Sequence, residues 1–188
     1  MTLPKLVLVR HGETEWSATG KHTSYTDVPL LEAGRRRAEH LRDRLAGREF
    51  ALVLTSPRAR ARETARLAGF GDAAQVEENL VEIDYGSYEG RTTPEIREEV
   101  PGWTVWTHGS PGGETVDDAG ARADRVIERA LGAGGDVLAF AHGHLLRILG
   151  ARWIDLPAAR GANLALSTGT LSELGFEREN RVISVWNS

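Results

Sequence analysis

The sequence predicts an α/β fold of three layers, a mostly parallel sheet with helices on both faces. Short apolar runs at residues 5–9, 51–55 and 136–141 alternate with longer segments of helical periodicity, the pattern of successive βα units. Two further apolar runs near the C-terminus, 171–176 and 181–186, read as a closing hairpin. No repeat, low-complexity tract or long linker divides the 188 residues, so 1–188 is expected to be one domain.

The elements follow in order. The first strand, 5–9, runs directly into Arg10-His11-Gly12, and an irregular polar stretch continues to Pro29. A helix is expected over 31–45, because Gly34, Ala38, Leu41 and Leu45 recur at helical spacing, and Gly47 ends it. Residues 51–55 form the second strand. Ser56-Pro57 open the next helix, with Ser56 as cap and Pro57 at the first helical position, and it continues to about Ala68. A weaker strand signal covers 75–83. Thr93-Pro94 start a short helix that Pro101-Gly102 break. Thr115-Val116-Asp117-Asp118 resemble a capping box for a helix reaching about Leu131. The strand at 136–141 is followed by His142-Gly143-His144 and a helix to about Trp153.

Composition narrows the function. Apolar residues at 40% and charged residues at 27% are those of an ordinary globular protein. The net charge of −4 argues against bulk attraction to nucleic acid or anionic lipid. With no cysteine there is neither a disulfide framework nor a thiolate metal site. The first apolar run begins a few residues from Met1, which leaves no signal-peptide pattern, and no run approaches the roughly 18 apolar residues that span a membrane. The expected location is therefore cytoplasmic. Of the 23 basic residues only Lys5 and Lys21 are lysine, and arginine suits bidentate recognition of phosphate.

In an open α/β sheet, ligands bind beyond the carboxyl ends of the strands. That rule gathers three segments into one pocket: Arg10-His11-Gly12-Glu13-Thr14, Ser56-Pro57-Arg58-Ala59-Arg60 and His142-Gly143-His144. The latter two also open helices, whose N-termini favour anions. Any one of these histidines or arginines alone would read as an ordinary core or rim residue. Together they make a site for phosphate. The competing reading is a zinc site built from His11, His22, His142 and His144. Guanidinium groups among them repel a cation and cannot ligate it, so no metal or other cofactor is expected.

Leu8-Val9-Arg10-His11-Gly12-Glu13-Thr14-Glu15-Trp16 resembles the signature of the histidine phosphatase superfamily, also called phosphoglycerate mutase-like. Three later segments agree in order. Ser56-Pro57-Arg58-Ala59-Arg60-Ala61-Arg62-Glu63-Thr64 is similar to its S-x-x-x-R-A-x-x-T segment, and Leu80 to Gly90 to its L-x-E-x-x-x-G-x-x-E-G segment. Ala141-His142-Gly143 resembles the region of its second histidine. The resemblance implies that fold and a set of roles. His11 would be the nucleophile. Arg10, Arg60 and His142 would hold the phosphoryl oxygens, and Glu82 would give and then take a proton. Ser17, Thr23, Ser24, Ser56, Gly143 and Arg147 would contact substrate. Ser17 stands where mutases have asparagine, and Thr23-Ser24 where relatives have Thr-Gly.

The implied activity is hydrolysis of a small-molecule phosphate ester. Mutases of the superfamily carry extra segments that shield the phosphohistidine from water, and this chain has only a short stretch between Gly90 and Thr115. Phosphatase is therefore favoured over mutase-type phosphoryl transfer or a non-catalytic phospho-ligand-binding module. Several segments, among them Phe140 to Arg147, resemble the sedoheptulose-1,7-bisphosphatase branch, where Arg147 matches an arginine for the second phosphate or sugar hydroxyls. His22 replaces a tyrosine of that branch, and a related acid phosphatase acting on other sugar phosphates stays open. Relatives are often dimers, so a homodimer is the expected alternative to a monomer.

Overall fold

The computed structural model describes residues 3–188. One sheet contains β1 (Leu6–Arg10), β2 (Leu52–Thr55), β3 (Ala74–Val76), β4 (Val137–Ala141), β5 (Leu171–Glu177) and β6 (Asn180–Val185). Their order is β3-β2-β4-β1-β5-β6. The first four of that row are mutually parallel, while β5 and β6 form the antiparallel closing hairpin against β1. Every residue of the central strand β4 is buried, as expected for a parallel strand covered on both faces.

The described residues also form seven α-helices, α1 (Glu15–Thr19), α2 (Glu32–Leu45), α3 (Ala59–Leu67), α4 (Thr93–Glu99), α5 (Val105–His108), α6 (Val116–Leu131) and α7 (Gly143–Trp153). The period-two alternation of strands decides the layers. Leu6 and Leu8 point into a core shared with α6 and α7, whereas Val7 and Val9 point into a second core shared with α2 and α3. Gly34, Ala38, Leu41 and Leu45 are the buried face of α2, as their spacing predicts. Helix α7 is apolar nearly all round because it is wedged between the sheet and α6.

Register positions the site. Arg10 pairs with Ala141, and Thr55 with Phe140, so β1, β2 and β4 release their chains at one edge of the sheet. The loop after β1 then passes α2 at very close range. A Cβ on Gly12 would lie 2.4 Å from the Gly34 carbonyl oxygen, so only glycines permit this approach.

Three local expectations need correction. Helix α3 begins at Ala59, with Arg58 as an N-cap lacking a side-chain bond, and not at Ser56-Pro57. Ser56 still belongs to the strand extension, its N–H donating to the Phe140 carbonyl, and its hydroxyl is engaged by His142. The strand expected over 75–83 is confined to Ala74–Val76, because Glu77 accepts from the Asn79 N–H and turns the chain into a 3₁₀ helix, Glu78–Leu80. The stretch read as irregular contains α1, which a reciprocal Thr14–Ser17 capping box starts. Among the described residues, no helix is long and apolar enough to cross a membrane.

Candidate active site

His11 follows β1, its backbone N–H donating to the Ala141 carbonyl at 3.0 Å. Its Nδ1 lies 2.8 Å from the Gly12 carbonyl oxygen, which can only accept. Nδ1 therefore carries the proton, and Nε2 keeps a lone pair. Burial, then the positive charges of Arg60 and Arg10, hold the ring well below the usual histidine range, so it stays neutral.

His142 caps α7 and meets His11 edge to face, with centroids 5.2 Å apart. Its Nε2 is 2.7 Å from the Ser56 hydroxyl. That hydroxyl already accepts from the Arg58 N–H at 3.3 Å, and His142 Nε2 is the acceptor within its reach. Ser56 thus donates to Nε2, which leaves the ring proton on Nδ1. His142 Nδ1 is sealed from solvent and has no partner among the described residues. Burial and Arg60 keep this ring neutral as well.

The two expected arginines converge on these rings. Arg10 Nη1 donates to the Leu166 carbonyl, and its guanidinium lies flat against Gly143, where a Cβ would meet Cζ at 3.1 Å. Arg60 is 1% exposed. Its Nη1 donates to the Thr26 carbonyl at 3.0 Å, and its Nη2 to those of Thr23 and Ser24 at 3.2 and 3.0 Å. Carbonyl oxygens fix both groups without neutralising them, and among the described residues neither forms an ion pair. Arg10 Nε and Arg60 Nε are buried without a partner among the described residues. Such atoms are costly to leave unpaired, and with the positive charges of both arginines acting on the His11 ring they mark a place suited to an anion.

Glu82 is seated on the N-terminus of α7. One carboxylate oxygen accepts from the N–H groups of Ile83 at 3.0 Å and Leu145 at 2.8 Å; the other accepts from His144 N–H at 3.0 Å. It lines a cavity of about 250 Å³ together with Arg10 and His11. Of the other expected site residues, Ser17, Thr23, Gly143 and Arg147 reach this cavity, while Arg60, His142, Ser24 and Ser56 lie behind its wall and do not line it. The Ser17 hydroxyl is held by the capping box, donating to the Thr14 carbonyl at 3.0 Å, and Thr23 donates to that of Lys21 at 3.2 Å. The Ser24 hydroxyl donates to Glu89 at 2.7 Å. Gly143 is the first residue of α7, where backbone N–H groups lack intrahelical partners. Arg147 donates to the carbonyls of Gly161 and Ala162, both at 3.0 Å, and lies 4.6 Å above the Trp106 ring.

The cavity also takes in His22, Tyr85 and His144, to which the sequence assigned no role in phosphate chemistry. The last two stand inside motifs already quoted, so the signal was present without an assignment. Among the described residues, no three His, Asp or Glu side chains cluster as metal ligands would.

The chain belongs to the histidine phosphatase superfamily, branch 1, whose family model matches residues 6–188. It is 45% identical to an acid phosphatase of Mycobacterium tuberculosis over 186 residues, covering 96% of this chain and 91% of that protein. It is 36% identical to the sedoheptulose 1,7-bisphosphatase of Saccharomyces cerevisiae over 186 residues, covering 81% of this chain and 68% of that protein. A solved structure of a Mycobacterium tuberculosis open reading frame product superimposes with a TM-score of 0.93 at 44% identity, covering 98% of this chain and 97% of that one. The fold is thus phosphoglycerate mutase-like, and the chain is an enzyme of the histidine phosphatase class.

The buried histidines have a consequence for stability. Burial lowers the pKa of His11, His22, His142 and His144 below the ordinary 6.5, the two phosphate-side rings with help from Arg60. In the unfolded chain each takes up a proton near 6.5, whereas in the folded protein each stays neutral. The unfolded state thus binds more protons below that pH. Stability is fully present above about pH 6.5 and is lost as pH falls from there toward the lowered folded values. Calorimetric scans of the ligand-free protein from pH 8 to 5 should show Tm level at first and declining below about 6.5. A Tm that stays level or rises over that lower range would contradict neutral rings.

Proposed function

We propose that this enzyme is a metal-independent phosphatase acting on phosphate monoesters of sugars or related polyols through a phosphohistidine on His11. The observation that carries the reading is a neutral histidine with a free Nε2 lone pair, packed against His142 and under the positive charges of Arg10 and Arg60, which no ion pair neutralises among the described residues. The guanidinium groups neutralise the phosphate and stabilise the charge on the transferring phosphoryl. Neutral imidazole attacks without adding negative charge. The Nε2–P bond forms as the ester O–P bond breaks, and the departing alkoxide takes a proton from Glu82. The resulting carboxylate then removes a proton from water as its oxygen attacks phosphorus, returning phosphate and neutral His11. The likeness to a sugar bisphosphatase supports sugar phosphates as the substrate class, and Arg147, which lines the cavity, is the residue we assign to the distal part of such a molecule.

The test is hydrolysis of a panel of phosphate esters in the presence of a strong chelator, with vanadate as inhibitor. Undiminished activity and inhibition by vanadate, which mimics a trigonal-bipyramidal phosphoryl, are expected. Loss of activity on chelation, restored by a divalent ion, would replace the arginine-based reading with a metal-dependent one.

A further inference from the structure

Beside the reacting centre, one cavity wall carries two histidines that the proposed phosphoryl transfer does not use. The rings of His22 and His144 lie almost parallel, 13° apart, with centroids separated by 6.1 Å. Each has one nitrogen committed. His22 Nδ1 is 2.7 Å from the Arg91 carbonyl oxygen. A carbonyl only accepts, so His22 Nδ1 carries the proton and Nε2 presents a lone pair. His144 Nδ1 is 2.6 Å from the Tyr85 hydroxyl. Burial pushes the Tyr85 phenol well above its ordinary range, and burial together with Arg147 keeps His144 uncharged. The phenol has no other acceptor among the described residues, so it donates to Nδ1, and His144 Nε2 carries a proton.

Both rings are held rigidly. His22 packs edge-on against Tyr85 and Trp103 at 4.8 and 5.2 Å, and His144 against Trp106 at 5.1 Å. Both line the cavity that contains His11 and Glu82. The wall therefore offers one neutral acceptor next to one neutral donor. A polyol, whose hydroxyls each accept and donate, can satisfy both. A carboxylate or a phosphate dianion only accepts and leaves His22 Nε2 facing a like lone pair.

We propose that His22 and His144 form a hydroxyl-recognition subsite, in which a polyol leaving group accepts from His144 Nε2–H and donates to His22 Nε2. The subsite rests on the same cavity being the phosphate-ester site. It makes the hydroxyls of the leaving group, and not a second anionic group, the feature read at this wall. Arg147 has already committed Nε and Nη2 to backbone carbonyls.

The experiment compares polyol phosphates of three to six carbons with n-alkyl phosphates of the same length. Affinity is measured by calorimetry on His11→Ala protein, and kcat/KM on protein with His11 intact. Both should favour the best polyol ester by about tenfold or more, the worth of one or two neutral hydrogen bonds. His22→Asn keeps a donor near the Nδ1 position for the Arg91 carbonyl and removes the Nε2 acceptor. It should bring the polyol-to-alkyl ratio close to one, and Tyr85→Phe, which frees the His144 tautomer, should lower it in the same direction. Equal affinity for polyol and alkyl esters, or a preference that survives His22→Asn, overturns the subsite. If the calorimetric preference holds while not even p-nitrophenyl phosphate is hydrolysed, the subsite stands and the phosphatase reading falls.

Discussion

His11→Ala should abolish phosphate release from every monoester tested, a loss of roughly 10⁴-fold or more, while vanadate still binds. The separation follows from how the site is held. Arg60 is anchored by the carbonyls of Thr23, Ser24 and Thr26, Arg10 by that of Leu166, and His142 by Ser56. None of these anchors passes through the His11 ring, so removing it deletes the attacking nitrogen and leaves the oxyanion donors in place. The alanine variant should therefore fold, bind vanadate by calorimetry and fail to turn over. Retained turnover would remove His11 from the mechanism; loss of vanadate binding with a normal Tm would show that the imidazole itself holds the phosphoryl group. Because His11 is neutral by burial and by its arginine neighbours, its availability as nucleophile should not decline as pH drops from 7 to 6.

Glu82→Gln should slow hydrolysis of alkyl phosphates by roughly 10²–10⁴-fold, the usual worth of a positioned acid–base group, and that of p-nitrophenyl phosphate by much less. An alkoxide needs a proton to depart, whereas p-nitrophenolate scarcely does. Comparing the two esters matters here because Glu82 also receives three backbone N–H groups, two of them from the first turn of α7. A glutamine amide turns its nitrogen toward at least one of those donors, so some loss through α7 is expected for both substrates alike. Steady-state kinetics on the ester pair separates these effects. Equal losses would reduce Glu82 to a support for the helix terminus.

Much of this site is legible in the chain because strand ends announce it. Arg10, His11 and His142 each follow a short apolar run, and register alone brings those runs to a common edge. Arg60 is picked out by its distance from Ser56 within a motif, and the face of α2 by the spacing of Gly34, Ala38, Leu41 and Leu45. Glu82 is different. It lies in a loop with no periodicity, and only its place in a motif singles it out. What the sequence could not give are bonds between residues far apart in the chain. Ser56 and His142 are separated by 86 positions, Ser24 and Glu89 by 65, Tyr85 and His144 by 59. Those pairings decide which hydroxyls remain free for a substrate and which tautomer each ring adopts. Helix α3 starts later than the Ser56-Pro57 pair suggests because Ser56 is still tied to β4, its N–H donating to the Phe140 carbonyl.

Nucleophilic catalysis by His11 requires one covalent bond, between its Nε2 and phosphorus. Enzyme mixed with a ³²P-labelled monoester and quenched in alkali within the first turnovers should retain label that survives base and is released by acid, the behaviour of a phosphoramidate. Proteolysis under alkaline conditions should place the label on the peptide containing His11, and His11→Ala should carry none. Label resistant to acid, label on a different residue, or active enzyme that never becomes labelled under conditions that trap the first turnover would contradict nucleophilic catalysis by His11.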